Sequence, residues 1–283
     1  MRMLPGMPAG VCDVAYGMNT VLTPDLGLRS SDNPLQAEMR RIVESIYGPA
    51  VRRLPGLDIG RAYLNATKEE FRYGGDLVDV FHYGHGFTSL AIVDITGHGI
   101  HAAMYAGLTK HALRAYASRG FNARDSVRAL NRLCIENSIF EADDEFFATV
   151  FFGIVDAERR TMQYVSAGHE AAYVVAADGA TQLAATGPII GLFDDDSAFD
   201  HGIVQLAHGS ILAAVTDGFS EARNARMEFL GAQALVDVVE RNWSCEADQQ
   251  AEALTRYAYE YANEQLHDDV AALVVKVQTE LAA

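Results

Sequence analysis

An aspartate followed closely by glycines ends an apolar run in the stretch AIVDITGHGIHAAM, residues 91–104. Two kinds of site use such a turn. The pattern Gly97-x-Gly99-x-x-Ala102 is typical of a strand-to-helix turn that holds a dinucleotide pyrophosphate. Alternatively, Asp94 is a metal ligand at a strand end, and the glycines only allow the chain to turn away from it.

The dinucleotide interpretation conflicts with the residues that follow. An acidic residue for the ribose is expected about 20 positions on, but the chain after Gly97 has no Asp or Glu until Asp125. A second strand should follow the first helix, whereas ARDSVRALNRL has a helical pattern. Asp94 would also repel the entering phosphates. We therefore favour the metal interpretation.

Hairpin geometry brings a second carboxylate to Asp94. If YGHG at 83–86 is a hairpin turn, paired residues have numbers that sum to about 169 or 170. Asp76 then lies opposite Val93 or Asp94, and two such carboxylates repel one another unless a cation lies between them. The same strand-end position recurs at Asp217, Asp268 and Asp269. An all-oxygen set of this kind favours Mg²⁺ or Mn²⁺ over zinc.

Several short motifs occur in a fixed order along the chain. They are GGD at 74–76, DITGHG at 94–99, AGH at 167–169, TDGFSEAR at 216–223 and DDV at 268–270. Together they resemble the metal-dependent serine/threonine protein phosphatases of the PPM family, in the SpoIIE-type bacterial branch. LPGLDIG at 54–60, NRL at 131–133 and TGPIIGL at 186–192 also resemble that branch. The resemblance covers about residues 54–278.

The resemblance implies a fold and a set of ligands. The fold is α+β, a four-layer α–β–β–α sandwich of two mostly antiparallel sheets, with two Mn²⁺ or Mg²⁺ ions at one edge that activate a water. Asp76, Asp94 and the Ile95 carbonyl would bind one ion. Asp94 would bridge to the second, which Asp217 and Asp268 also hold. Asp269 is the alternative to Asp268.

Other polar residues near these motifs have two interpretations each. Thr96 occupies the position of the general-acid histidine of eukaryotic relatives. His98 is interpreted as a turn histidine, with proton donation to the leaving group as the alternative. His169 is expected to support the site rather than react. Arg72 and Arg223 are interpreted as surface salt-bridge residues, with phosphate contact as the alternative, and Asp79 is expected on the strand face opposite Asp76.

Composition restricts the partners. The 22 Lys and Arg against 38 Asp and Glu give a formal charge of −16, which opposes binding to nucleic acid and to anionic lipid. No apolar run approaches the length of a membrane span. The three cysteines form no CxxC pair, which favours a reducing, cytoplasmic setting.

The chain divides into an extension and one large domain. Residues 1–53 form an N-terminal extension with a helix at about 33–47, which could pack on its own domain, transmit a signal or form a homodimer. Residues 54–280 form the phosphatase domain, in which strands occur in hairpin-like runs and helices in pairs. That order favours an α+β fold.

The predicted function is hydrolysis of phosphoserine or phosphothreonine. The expected substrate is a phosphorylated regulatory protein, for example a STAS-domain anti-sigma-factor antagonist. The alternative is a non-catalytic module of the same fold that binds or regulates a partner. A nucleophilic hydrolase has little support, because the sequence contains no GxSxG motif.

Overall fold

The structure is a computed structural model that describes residues 46–47, 53–66, 75–84, 86–97, 99–138 and 146–278. Most of the helix predicted at 33–47 lies outside these ranges; Ile46 and Tyr47, at its end, are helical. The boundary between extension and domain therefore stays a prediction.

Besides the helical residues Ile46 and Tyr47 and a 3₁₀ turn at Asp196–Ala198, the described residues form eleven strands and five α-helices. The strands are β1 (Arg53–Leu54), β2 (Leu57–Leu64), β3 (Leu77–His82), β4 (Phe87–Ile95), β5 (Ala148–Asp156), β6 (Thr161–Ala167), β7 (Ala172–Ala176), β8 (Gly179–Leu183), β9 (Gly202–Gln205), β10 (Ile211–Val215) and β11 (Val270–Val277). The helices are α1 (Ile100–Ser118), α2 (Ala123–Ser138), α3 (Asp217–Ser220), α4 (Gln233–Arg241) and α5 (Ala247–Tyr261).

The strands form two antiparallel sheets. One has six strands in the order β1-β2-β11-β10-β7-β8, and the other has five in the order β3-β4-β5-β6-β9. Strands such as β10 and β11 are apolar and buried over nearly their whole length, because the partner sheet covers one face and helices cover the other. The apolar runs of the sequence thus become the central strands.

The helices cover the outer faces of the sandwich. Helices α1 and α2 pack on the five-stranded sheet, and α4 and α5 pack on the six-stranded sheet. Helix α5 begins at a capping box, in which Glu246 and Gln249 each bind the other's backbone amide. The predicted four-layer α–β–β–α sandwich is confirmed.

The turn between β3 and β4 is the predicted hairpin. The Phe87 amide donates to the Gly84 carbonyl at 3.0 Å, and Gly84 and Gly86 have φ angles of 90° and 76°, which favour glycine. Leu77 pairs with Val93. The paired numbers therefore sum to 170 and bring Asp76, the next residue outward, opposite Asp94.

The segment that precedes the sandwich is anchored at its end by two buried cations. Lys110 Nζ donates to the Ile46 carbonyl, and Arg61 Nη1 donates to the Tyr47 carbonyl at 3.3 Å. The Tyr47 ring is 1% exposed and meets the Tyr63 ring edge-on, with 6.0 Å between centroids. These contacts join residues 46–47 to the domain core.

Tyr63 also contacts the outer edge of β3. Its hydroxyl accepts from the Val78 amide at 2.7 Å and donates to the Val78 carbonyl at 3.1 Å. Because β3 is an edge strand, these backbone groups point away from β4 and need another partner. The hydroxyl supplies it and fixes β3 two residues after Asp76.

Asp79 is paired with two cations of helix α1. Its carboxylate is 5% exposed and accepts from Arg114 Nε at 2.7 Å and Nη2 at 2.6 Å. Lys110 Nζ lies 3.8 Å from the same carboxylate. A buried carboxylate needs such pairing, and this pairing ties β3 to α1.

Candidate active site

Four acidic residues stand at neighbouring strand ends. Asp76 precedes β3, and Asp94 lies near the end of β4. On the other sheet, Asp217 follows β10 and Asp268 precedes β11. The antiparallel β10–β11 pairing brings those two ends together. Both sheets therefore contribute acidic residues to one edge of the sandwich.

The carboxylates interact strongly enough to change their acidity. Burial raises the pKa of Asp94 to about 7, and the nearby charges of Asp217, Asp268 and Asp269 add to the shift. Burial, followed by the charge of Asp268, raises the pKa of Asp217 to about 6. Like charges oppose ionisation only when they lie close together, so these side chains form one electrostatic cluster.

Asp76 is the most deeply buried member of this cluster, at 7% exposed. Burial and then the charge of Asp94 raise its pKa well above the ordinary value. A hydrogen bond from the Thr216 hydroxyl to Asp76 Oδ2, at 2.7 Å, opposes this shift. The sequence analysis gave Thr216 no role; the only signal for it was a hydroxyl residue directly before a strand-end aspartate.

The donor set fits divalent cations that prefer oxygen. Buried carboxylates that raise one another's pKa are stabilised as anions by a cation. No three of the described His, Cys, Asp or Glu side chains converge tightly enough to enclose one ion. Carboxylates shared between two ions, with waters completing each shell, do not require such a cage. The observation that supports a two-ion site is that these carboxylates lie close enough to change one another's pKa.

Two glycines allow close backbone approach at this edge. A Cβ on Gly75 would lie 2.1 Å from the Ile95 carbonyl oxygen, and one on Gly218 would lie 2.0 Å from the Asp269 carbonyl oxygen. Such distances exclude any side chain. The glycines of GGD and TDG thus let Asp76 and Asp217 reach the ends of the neighbouring strands.

Asp268 and Asp269 have different surroundings. Asp269 Oδ1 accepts from the Ala66 amide at 2.7 Å, so it holds the chain that leaves β2. Asp268 is exposed and is the largest charge acting on Asp217. These contacts favour Asp268 as the residue that faces Asp217.

His169 joins the two sheets beside the cluster. Its Nδ1 lies 2.8 Å from the hydroxyl of Thr149, the residue that pairs with Asp94 across the sheet. Burial lowers the pKa of His169 to about 3, against a smaller opposing effect of the Val215 carbonyl. The imidazole is therefore neutral, as expected of a supporting residue.

Of the other polar residues singled out from the sequence, Thr96 and Arg223 are described, and each contacts a group outside the four carboxylates. The Thr96 hydroxyl donates to the Phe147 carbonyl at 2.5 Å, so its proton is engaged. The Arg223 guanidinium lies over the Phe229 ring, 4.7 Å from its centroid. Arg72 and His98 lie outside the described residues.

The NRL and TGPIIGL motifs contact one another. Asn131 is fully buried; its Oδ1 accepts from the Gly191 amide and its Nδ2 donates to the Phe193 carbonyl, each at 2.9 Å. Ile190 also bridges to Ala148, the strand partner of Ile95. Helix α2 therefore fixes the loop that runs beside the acidic edge.

The metal-free protein should lose stability as the pH rises. The folded-state pKa values of Asp94 and Asp217 lie above the ordinary value of 3.8, so protonation favours the folded state. That contribution is complete below pH 4 and is lost as the pH passes through about 6 to 7. In EDTA, we expect the melting temperature to fall between pH 5.5 and 8, and Asp94→Asn to flatten the profile. A melting temperature that rises over this interval would contradict the expectation.

Family comparison defines the class of protein. Residues 84–278 match the family model described as Stage II sporulation protein E (SpoIIE). The chain belongs to the SpoIIE family, the SpoIIE-type branch of the PPM phosphatases, as the sequence motifs predicted.

Two proteins are similar in sequence to this chain at moderate identity. Protein IcfG of Synechocystis sp. is 27% identical in an alignment of 241 positions that covers 76% of this chain and 37% of IcfG. This chain thus spans little more than a third of that relative. Phosphoserine phosphatase RsbU of Bacillus subtilis is 24% identical over 97% of this chain and 82% of RsbU.

Solved structures share the fold. The crystal structure of the RsbU and RsbW domains of Rv1364c from Mycobacterium tuberculosis superposes with a TM-score of 0.67 at 26% identity, over 80% of this chain and 61% of that one. The PP2C phosphatase domain of SpoIIE from Bacillus subtilis gives 0.66 at 18% identity, over 78% and 63% of the two chains. Within the described ranges, no helix is both long and apolar enough to cross a membrane.

Proposed function

We propose that this protein is a metal-dependent phosphatase that hydrolyses phosphoserine or phosphothreonine on a regulatory protein. One observation carries the proposal. Carboxylates from both sheets of a PPM-type sandwich meet at one edge, where burial and then their mutual repulsion raise the pKa values of Asp76, Asp94 and Asp217. Membership of the SpoIIE family supports the reaction class.

Each acidic residue has a proposed part in holding two divalent cations, Mn²⁺ or Mg²⁺. Asp76 and the Ile95 carbonyl hold one ion, Asp217 and Asp268 hold the other, and Asp94 is shared. The close approach of Gly75 to the Ile95 carbonyl supports the first group. The strong effect of Asp268 on Asp217 supports the second.

The bound cations would supply a water of lowered pKa and positive charge for the phosphoryl oxygens. The chain's own residues position these components. Thr96 does not provide the proton for the leaving alkoxide, because its hydroxyl donates to the Phe147 carbonyl. His169 does not provide it either, since its ring is 8% exposed and neutral. His98 lies outside the described residues, so it and a solvent water are the two remaining donors for this proton.

Relatives support a signalling substrate. RsbU and RsbP of Bacillus subtilis are named phosphoserine phosphatases, and one structural neighbour of the same fold comes from the bacterial stressosome. We therefore propose a phosphorylated regulatory protein, such as a STAS-domain anti-sigma-factor antagonist, as the substrate. Dimerisation through the helix near 33–47 remains part of the proposal.

A thiol mechanism has no support at the cysteines that the structure describes. Burial raises the pKa of Cys134 to about 12, and the thiolate is the reactive form. Cys245 is also buried. Both are free thiols, which agrees with the proposed reducing, cytoplasmic setting.

Chelation tests the proposal. Hydrolysis of p-nitrophenyl phosphate and of phosphoserine and phosphothreonine peptides should require Mn²⁺ or Mg²⁺, stop in EDTA and return when the ion is restored. Binding of Mn²⁺ without hydrolysis of any phosphoester would instead favour the non-catalytic module. Hydrolysis that persists in EDTA would exclude the metal mechanism.

A pair of variants distinguishes the two adjacent aspartates. Asp268→Ala should weaken Mn²⁺ binding by at least about tenfold, by analogy with losses at residues around metal sites. Asp269→Ala should keep both Mn²⁺ sites and lower the melting temperature, because the Ala66 amide loses its acceptor. Titration calorimetry and thermal unfolding report the two effects. A greater loss of Mn²⁺ affinity in Asp269→Ala would assign the ligand to Asp269.

A further inference from the structure

Thr216 lies where β10 ends and α3 begins, and its side chain is fully buried. It is the N-cap residue of α3, a position at which threonine commonly accepts a hydrogen bond from a helix amide. In this protein the Thr216 side chain makes no capping hydrogen bond. Its hydroxyl makes hydrogen bonds with Asp76 and Ala271 instead.

Two backbone contacts fix Thr216 on β11. The Thr216 amide donates to the Ala271 carbonyl at 3.1 Å, and the Ala271 amide donates to Thr216 Oγ1 at 2.9 Å. The hydroxyl oxygen is thus an acceptor, and its single proton is available for one donation. That proton goes to Asp76 Oδ2 at 2.7 Å.

This hydrogen bond crosses between the two sheets. Thr216 and Ala271 belong to the six-stranded sheet, whereas Asp76 leads into the five-stranded sheet. Thr216 also directly precedes Asp217. One hydroxyl therefore links the two groups of acidic residues, and because it engages Oδ2, Asp76 keeps Oδ1 for a cation.

We propose that Thr216 is a positioning residue that orients Asp76 for the ion it holds. The inference rests on the metal centre of the proposed function. It concerns the binding of Mn²⁺ itself, so it can be measured without any substrate.

Isosteric replacement separates the hydroxyl from the shape of the side chain. Thr216→Val should weaken one of the two Mn²⁺ binding events about tenfold, and Thr216→Ser, which keeps the hydroxyl, should remain within about threefold of wild type. The weakened event should be the one that Asp76→Ala removes and not the one that Asp268→Ala removes. Titration calorimetry with MnCl₂ measures each event.

A matched control addresses general loss of stability. Thr255 in α5 is 1% exposed, and its hydroxyl donates to the Glu252 carbonyl at 3.2 Å. Thr255→Val should leave Mn²⁺ affinity unchanged, whatever its effect on melting in EDTA. If Thr216→Val does not fold, Thr216→Ala takes its place with the same criteria.

Three results would overturn the inference. The first is a Thr216→Val variant whose Mn²⁺ affinity stays within twofold of wild type. The second is a loss of affinity that both binding events share equally. The third is a Thr216→Ser variant that binds Mn²⁺ as weakly as Thr216→Val. Failure of the proposed function looks different. The wild-type protein would then bind Mn²⁺ with the expected dependence on Thr216 but hydrolyse no phosphoester.

Discussion

Asp94→Asn is expected to abolish metal-dependent phosphoester hydrolysis while the metal-free protein melts at the same temperature or higher. Asp94 is the only residue proposed to contact both ions, so the substitution affects both sites. A displacement of reacting groups by about 1 Å can lower a rate on the order of a hundredfold, and loss of an ion should lower it further. Removal of one charge relieves the repulsion from Asp217 and Asp268.

Two further variants serve as comparisons for Asp94→Asn. Asp76→Asn should disturb mainly one ion, so Mn²⁺ titration should show one weakened event instead of two. Asp178→Asn replaces an exposed aspartate between β7 and β8 and should leave both turnover and melting unchanged. Near-wild-type turnover of Asp94→Asn at saturating Mn²⁺ would show that Asp94 is not the shared ligand.

Tyr47→Ala should cause the largest loss of stability among the single substitutions considered. The ring is 1% exposed and lies in the core cluster with Tyr63, and truncation of a buried aromatic residue costs about 3–5 kcal/mol. For a domain of this size, each kcal/mol lowers the melting temperature by roughly 2–4 °C. Thermal unfolding should therefore show a decrease of about 6–20 °C.

Deleting residues 1–50 removes the same anchor and should also change the basal turnover or the oligomeric state. Phe121→Ala is the control for Tyr47→Ala: Phe121 is 39% exposed and stacks on Tyr116, so its truncation should lower the melting temperature less than truncation of the fully buried Tyr47. A truncated protein with unchanged melting temperature, size and turnover would show that the N-terminal segment is an independent appendage.

Sequence patterns predicted the central elements because those elements are apolar and long. The runs FTSLAIVD at 87–94, FFATVFFGIV at 146–155 and DVAALVVKVQ at 269–278 predict strands. Strands β4, β5 and β11 agree with these runs within two residues, and each has eight or nine residues of nearly continuous burial. Strand β8 was not predicted, since four of its five residues are exposed and show no apolar alternation. Among the described residues, the four-residue strand β9 pairs with β6 alone, and four residues are too few to show a clear alternation of apolar and polar positions.

The parts of the candidate site that depend on local geometry could be predicted from the sequence. The hairpin register that brings Asp76 to Asp94 follows from a short turn, and the other aspartates were recognisable at strand ends. The Thr216–Asp76 hydrogen bond joins residues 140 positions apart, and the Ala66–Asp269 bond joins residues 203 apart. Such contacts depend on how the two sheets stack, which no local pattern specifies.

The Tyr63 hydroxyl has a consequence for self-association. An edge strand with unpaired amides and carbonyls is a template for another chain's strand, and proteins block such edges to avoid aggregation. At β3 the Val78 amide and carbonyl are already bound by Tyr63, so an incoming strand would have to displace the Tyr63 hydroxyl there. At the opposite edge of the same sheet, β9 carries Ile203, which is 69% exposed. Addition of a strand beside Asp76 would therefore cost the two hydrogen bonds of the Tyr63 hydroxyl, whereas addition at β9 would bring the incoming chain against an exposed apolar side chain.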